Sequence, residues 1–547
     1  MHFAAKNVEA IATFALVANA TTGAPSDSPQ DADIYQSSYL GGEYNIDPSD
    51  IPKFTQLWNA TFNPDERHWA RPLVHTLSST GRQIVFTAST ENRIRTFDAA
   101  TGELLNERQV LPPWPMDQAF CTAHVSKTLG VMGTPVIYCE DGNEIAFFYV
   151  KSYIEDYREP GGAYPPLNSV YYLYGVYLDT LLDLYKFPLV IDGMPADNDA
   201  RKIFLGGLVL QRPALLLLGD VLYAGFGGLC DAFNYTGSVV AVNLATRNMY
   251  TWTTQAGNGS LYTDDWTAWH GGGAGGIWQA GMGFSSDGKD VFFTIDNGGG
   301  STSTNLDITS RSGKSHIDIL SETVTRISLD EESGQGIRLV DWFRPSDWQT
   351  DSGQDIGSGG FAVLDERVFK TKEGGRVGVA TSTNPKLYVL EVDNLGGYRQ
   401  GNNGSDGILQ TINLEGEVFG AIGSYPLEGG YIYVNPGNTA LSAYKFKPNS
   451  TELFSLAGKS PNLNGHWGGA GLPTVTSKQG KSGSGIVWVT DVNRGLLAFK
   501  AVPENGTLVE LSLPKVEGAM KFGRPVFGDG KVFVVDGMGR LIALGVK

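Results

Sequence analysis

The sequence predicts an all-β fold: a single β-propeller of about eight four-stranded blades, with seven as the alternative count. Three observations carry this. One punctuation recurs along the chain: a small or polar residue, then Pro or Gly-Gly, then a short apolar run. The composition is turn-rich and strand-rich, with 70 Gly in 547 residues and 41% hydrophobic against 18% charged residues. The chain also ends one strand short of a blade, while an unattached strand stands near its start.

The full repeat reads Ala70-Arg71-Pro72-Leu73-Val74, Gly133-Thr134-Pro135-Val136-Ile137, Gln211-Arg212-Pro213-Ala214-Leu215, Gly471-Leu472-Pro473-Thr474-Val475 and Gly523-Arg524-Pro525-Val526-Phe527. Looser copies lie at Gln279-Ala280-Gly281, Ser358-Gly359-Gly360-Phe361 and Val418-Phe419-Gly420. The spacing is roughly 50–80 residues, the length of a propeller blade with its loops. Proline is tolerated at the first residue of a strand, where no ladder hydrogen bond is required of it.

The elements follow in order. Residues 1–20 read as a secretory signal: Lys6 is basic, Ile11 to Ala18 is apolar, and Ala18-Asn19-Ala20 offers a cleavage site. Residues 21–53 form a polar arm. The propeller spans 54–547. In its first repeat Ile84-Val85-Phe86-Thr87 is a buried strand and Ile94-Arg95-Thr96-Phe97 the next, with Asp98-Ala99-Ala100-Thr101-Gly102 as the outer turn. The last repeat pairs Val532-Phe533-Val534-Val535 with Leu541-Ile542-Ala543-Leu544 and then stops. The strand Leu57-Trp58-Asn59-Ala60-Thr61 is expected to complete that blade and close the ring, which removes exposed sheet edges. Lys151 to Asn168 reads as an insertion on one face, and Asn297 to His316 as a Gly/Ser/Thr-rich loop.

A net charge of −17 argues against nucleic acid or an anionic membrane as partner. No apolar run reaches the roughly 18–20 residues of a membrane span. Secretion is supported by six Asn-x-Ser/Thr sequons, at Asn59, Asn234, Asn258, Asn403, Asn449 and Asn505. A monomeric, glycosylated, extracellular protein is expected. Of three cysteines, Cys121 and Cys139 are the local pairing, and the two pairings with Cys230 stay open.

In a ring, equivalent positions point at one axis. Arg71, Arg212 and Arg524 occupy the same place in three repeats, so three guanidiniums are expected near the axis, where they could hold carboxylates, quinone oxygens or phosphates. The bland alternative is that each ties neighbouring blades together. Three His-Trp pairs precede inner strands: His68-Trp69, Trp269-His270 and His466-Trp467. Trp69, Trp269 and Trp467 are candidate rim aromatics for a flat ligand or sugar, and His270 and His466 candidate proton carriers. Asp355, in Gly353-Gln354-Asp355-Ile356-Gly357, is a candidate base, with an Asx turn as the structural alternative.

Together these motifs resemble the secreted PQQ-like (quinoprotein alcohol dehydrogenase-like) β-propeller family. The resemblance rests on Leu210-Gln211-Arg212-Pro213-Ala214-Leu215, Gly228-Leu229-Cys230-Asp231, Gly275-Gly276-Ile277-Trp278-Gln279-Ala280-Gly281, Asp355-Ile356-Gly357-Ser358-Gly359-Gly360, Val392-Asp393-Asn394-Leu395-Gly396-Gly397 and Gly523-Arg524-Pro525-Val526-Phe527. It implies an axial site in which enzyme members bind pyrroloquinoline quinone with Ca²⁺ and oxidise alcohols or sugars. Of the candidates, Trp278 and Arg212 fall in family motifs; in an oxidoreductase reading Arg71, Arg212, Arg524 and Trp278 would hold the quinone, and Asp355, His270 and His466 would serve catalysis. No calcium ligands can be assigned, and the adjacent cysteine pair of the bacterial alcohol dehydrogenases is missing. Three functions therefore compete. One is a quinoprotein-like oxidoreductase acting on an alcohol, sugar or phenol. Another is a non-catalytic propeller binding glycan or protein. The third is a cofactor-free enzyme of secondary metabolism binding a flat small molecule.

Overall fold

The computed structural model describes residues 26–41, 44–119, 126–140, 142–154, 168–229, 234–261, 272–298, 319–348, 355–420, 422–465 and 469–547. The chain forms eight antiparallel blades around one axis. Their innermost strands begin at the predicted punctuation: Leu73–Thr76, Val136–Glu140, Leu216–Leu218, Ser285–Ser286, Phe361–Val363, Gly423–Tyr425, Thr474–Thr476 and Val526–Gly528. We number blades 1 to 8 in that order.

Each blade is a meander from axis to rim. Blade 1 runs Leu73–Thr76, Gln83–Ala88, Arg93–Asp98, Leu104–Gln109. Its outer hairpin turns where Asp98 Oδ1 accepts the backbone N–H groups of Ala100 and Thr101, both at 2.9 Å. Asn243 in blade 3 and Asp491 in blade 7 make the same turn with the residues two and three positions on. A short polar side chain here does the work of a backbone acceptor, so each hairpin is specified locally.

The ring closes as expected. Thr55–Thr61 pairs antiparallel with Arg540–Gly545 and becomes the outermost strand of blade 8. Trp58 seals the seam: it is buried, donates its indole N–H to Ala99 O at 3.1 Å and packs on Phe533. The core is not central. Eight apolar clusters each join two neighbouring blades, and the one across the seam holds Trp58, Val74, Phe97, Val526 and Phe533.

One sequence expectation is corrected. Lys151 does not begin an insertion: Asn143–Tyr153 is one strand of eleven residues that buries Lys151 completely. Only residues 155–167 of that stretch lie outside the described residues.

The polar arm has a defined path. It crosses the ring and bonds inner strands of seven blades. Ser28 exchanges backbone hydrogen bonds with Val74, and its hydroxyl donates to Phe527 O at 2.9 Å. The carbonyls of Pro29, Ile34, Tyr35, Ser37 and Ser38 accept from Ile137, Ser286, Val363, Ser424 and Val475. The inner strand of a propeller has no partner on its axial side, and the arm supplies one.

Candidate functional site

Where the approaches to the inner strands converge, Arg71, Arg212 and Arg524 line one cavity together with Asp31, His68, Trp69, Thr134, Gly281, Thr490, Lys521 and Phe522. The repeat places the arginines there. Each follows the loop entering its blade and immediately precedes the proline that opens the inner-strand segment.

The three guanidiniums are all more than nine-tenths buried. Arg71 donates from Nη2 to Pro525 O at 2.7 Å, in the neighbouring blade. Arg524 donates from Nη1 to Ser38 Oγ at 2.8 Å, in the arm. Arg212 makes only long contacts, 3.4 Å to Met132 O and 3.4 Å to Ala280 O, and lies over the Trp69 ring at 5.4 Å. Burial pulls Arg71 and Arg212 down to about 10, so both stay cationic at neutral pH. Burial, then Arg212, also lowers Lys521.

Among the described residues Asp31 is the one carboxylate on this wall, carried in by the arm. Its Oδ1 stands 3.9 Å from Arg71 Nη1 and 3.9 Å from Arg524 Nε. Those distances exceed a direct hydrogen bond. Asp31 Oδ2, Arg71 Nε and Nη1, Arg524 Nε and Nη2, and Trp69 Nε1 are buried with no hydrogen-bond partner. Among the described residues, three buried guanidiniums face one carboxylate here with donors unmet, an arrangement suited to an anion.

His68 is buried on this wall and stacks on Phe62 at 3.9 Å between ring centres. Its Nε2 lies 3.6 Å from Glu66 Oε1, and Glu66 is held by Arg95 at 2.6 Å. Burial pushes the imidazole down to about 4, against the opposing pull of Glu66. The ring is therefore neutral at ordinary pH, with neither nitrogen hydrogen-bonded.

The remaining sequence candidates separate from this cavity. Trp278 is a packing wedge: its indole covers Gly227 and Gly276, where an added Cβ would meet the ring at 2.6 Å. Asp355 serves a turn elsewhere. Its Oδ1 accepts Ser358 N at 2.5 Å, and Thr383 Oγ1 accepts Asp355 N at 2.7 Å. It sits by Asp296 and Glu322, whose carboxyl is pushed well up by burial and by these two neighbours. Trp269, His270, His466, Trp467 and Cys121 lie outside the described residues. Cys139 Sγ lies 3.8 Å from His75 Nε2. All six sequon asparagines are exposed. Sequence reasoning missed Asp31 and Lys521. Nothing local marks either one, since Asp31 meets Arg524 from 493 positions away along the chain.

A quinone with Ca²⁺ can be tested against this wall. The guanidiniums suit a quinone's carboxylates. Ca²⁺ takes six to eight oxygen ligands. Among the described residues no group of three His, Cys, Asp or Glu side chains could hold a metal ion. The surplus of cations at the axis also repels one. The described residues do not fit the quinone–calcium pair.

No protein-family model matches the chain, and no curated protein matches it. Solved structures do. The quinohemoprotein alcohol dehydrogenase from Comamonas testosteroni superposes with a TM-score of 0.62 at 13% identity, covering 96% of this chain and 81% of that one. A europium-containing methanol dehydrogenase gives 0.60 at 12% identity, covering 95% and 98%. Quinohemoprotein alcohol dehydrogenase ADHIIG from Pseudomonas putida HK5 gives 0.61 at 12%, covering 95% and 80%. The chain thus has the eight-bladed propeller fold of the quinoprotein alcohol and methanol dehydrogenases. At these identities the likeness concerns the fold, and function rests on the site.

Proposed function

We propose that this protein is a secreted propeller of quinoprotein fold that binds a small organic carboxylate at its axis. The observation that carries the reading is the wall of Arg71, Arg212 and Arg524, which among the described residues faces the one carboxylate of Asp31. Buried guanidiniums with unmet N–H groups are costly unless an anion or ordered water completes them. Export is supported by the N-terminal signal pattern and by six sequon asparagines that all reach solvent. Among the described residues no helix is long and apolar enough to cross a membrane.

The test is calorimetric titration of the full glycosylated chain with acetate and, separately, with pyrroloquinoline quinone plus Ca²⁺. Acetate is expected to saturate, to weaken as salt rises, and to lose about tenfold or more in affinity in Arg212→Met, the size of a lost charge-assisted hydrogen bond. Saturable, Ca²⁺-dependent quinone binding with the quinone's absorbance would overturn the reading and return the axis to a quinone-dependent oxidation of alcohols or sugars. Binding of neither would retire the axial site.

A further inference from the structure

The unmet groups around the axial cavity are not all donors, and this narrows the ligand. We infer that the axial site takes a small hydroxycarboxylate, one carrying both a carboxylate and a neighbouring hydroxyl. The inference rests on the anion-site reading above and specifies its ligand.

The argument is an inventory. On the donor side are Arg71 Nε and Nη1, Arg524 Nε and Nη2, and Trp69 Nε1, all buried and unpartnered. A carboxylate answers them, because its two oxygens offer about four acceptor sites. On the acceptor side is Asp31 Oδ2, also buried and unpartnered. A carboxylate cannot answer it, since an ionised carboxyl has no proton to donate and would repel it. A hydroxyl can, because it donates one hydrogen bond and accepts others. His68 adds a neutral ring with one donor and one acceptor nitrogen, both unpartnered, and a hydroxyl can serve either.

Placement supports the pairing. Asp31 Oδ1 keeps 3.9 Å from both Arg71 and Arg524, so the carboxylate and the guanidiniums stand apart without a direct hydrogen bond. A plain anion, drawn to the arginines, would meet Asp31 as an unfavourable neighbour. A hydroxy acid turns that neighbour into a partner. The requirement for both signs also separates this site from a general anion trap, which would have no use for a buried carboxylate among its cations.

The experiment compares glycolate, acetate and ethylene glycol on the full chain by calorimetry at one ionic strength. Glycolate is expected to bind about tenfold or more tightly than acetate, the worth of a hydrogen bond to a charged group. Ethylene glycol, lacking the charge, is expected not to saturate. The second arm is Asp31→Ala. Acetate should then bind more tightly than in the unmodified chain, because a like charge has gone, and the glycolate preference should fall to about one. Asp31 acting only as a structural tie would not produce that crossover. If Asp31→Ala does not fold, the ligand comparison on the unmodified chain decides alone. Equal binding of glycolate and acetate overturns the hydroxycarboxylate inference and leaves the anion site standing. No binding of either acid overturns both.

Discussion

His68 makes acid sensitivity a quantitative prediction. The perturbation is His68→Phe, which keeps a flat ring against Phe62, 3.9 Å away in the native stack. Burial holds the folded imidazole at about 4, and the ordinary value is 6.5. The folded value lies below the unfolded one, so between them the unfolded chain binds the extra proton. Stability is then fully present above 6.5 and is lost as pH falls toward 4. Integrating the difference down to pH 4 gives about 3 kcal/mol for this one group. The assay is urea unfolding of both proteins at pH 7 and pH 4, followed by tryptophan fluorescence. The native chain should lose about 3 kcal/mol more than the variant between the two conditions. Parallel losses would refute the reasoning, because they would mean that the ring is already protonated in the fold, stabilised by Glu66 at 3.6 Å more than burial penalises it.

Two further predictions test the frame of the site. Trp58→Ala removes the buried indole that seals blade 8 to blade 1 and its hydrogen bond to Ala99 O. A loss of about 3–5 kcal/mol is expected, read as a lower urea midpoint, and an unchanged midpoint would mean that the seam is held elsewhere. Gly281→Ala would put a Cβ 2.1 Å from Arg212 Nη1 at a residue with φ of +86°. It should cost about 1 kcal/mol of stability from the left-handed backbone. It should also weaken acetate binding by displacing the guanidinium, so unchanged affinity in a folded variant would place Arg212 outside the anion site.

Much of the architecture was written locally. Six of the eight inner strands begin within three residues of a Pro or Gly-Gly mark, as at Pro72 before Leu73, and the other two follow a single-glycine mark, Gly281 before Ser285 and Gly420 before Gly423. Turn residues such as Asp98 act over two or three positions. The missing last strand is visible because a blade's count of strands is periodic. The convergence of Arg71, Arg212 and Arg524 could be read as well, since equal positions in a closed ring must face one axis. The Asp355 and Trp278 assignments show where that logic stops. Both lie in repeat motifs, yet Asp355 is spent on a turn and Trp278 on covering two glycines. Residue type and motif do not say which way a side chain's hydrogen bonds are already committed.

By itself, then, the sequence determined a closed propeller of about eight blades and the convergence of three arginines, because strands, turns and repeats are encoded over short distances. The tertiary structure alone decided the path of the N-terminal arm, the burial that neutralises His68, and the arrival of Asp31 among the arginines. Those depend on contacts between segments hundreds of residues apart, where no local pattern specifies the partner. The arm follows the unpaired axial edges of strands that exist only once the ring has formed.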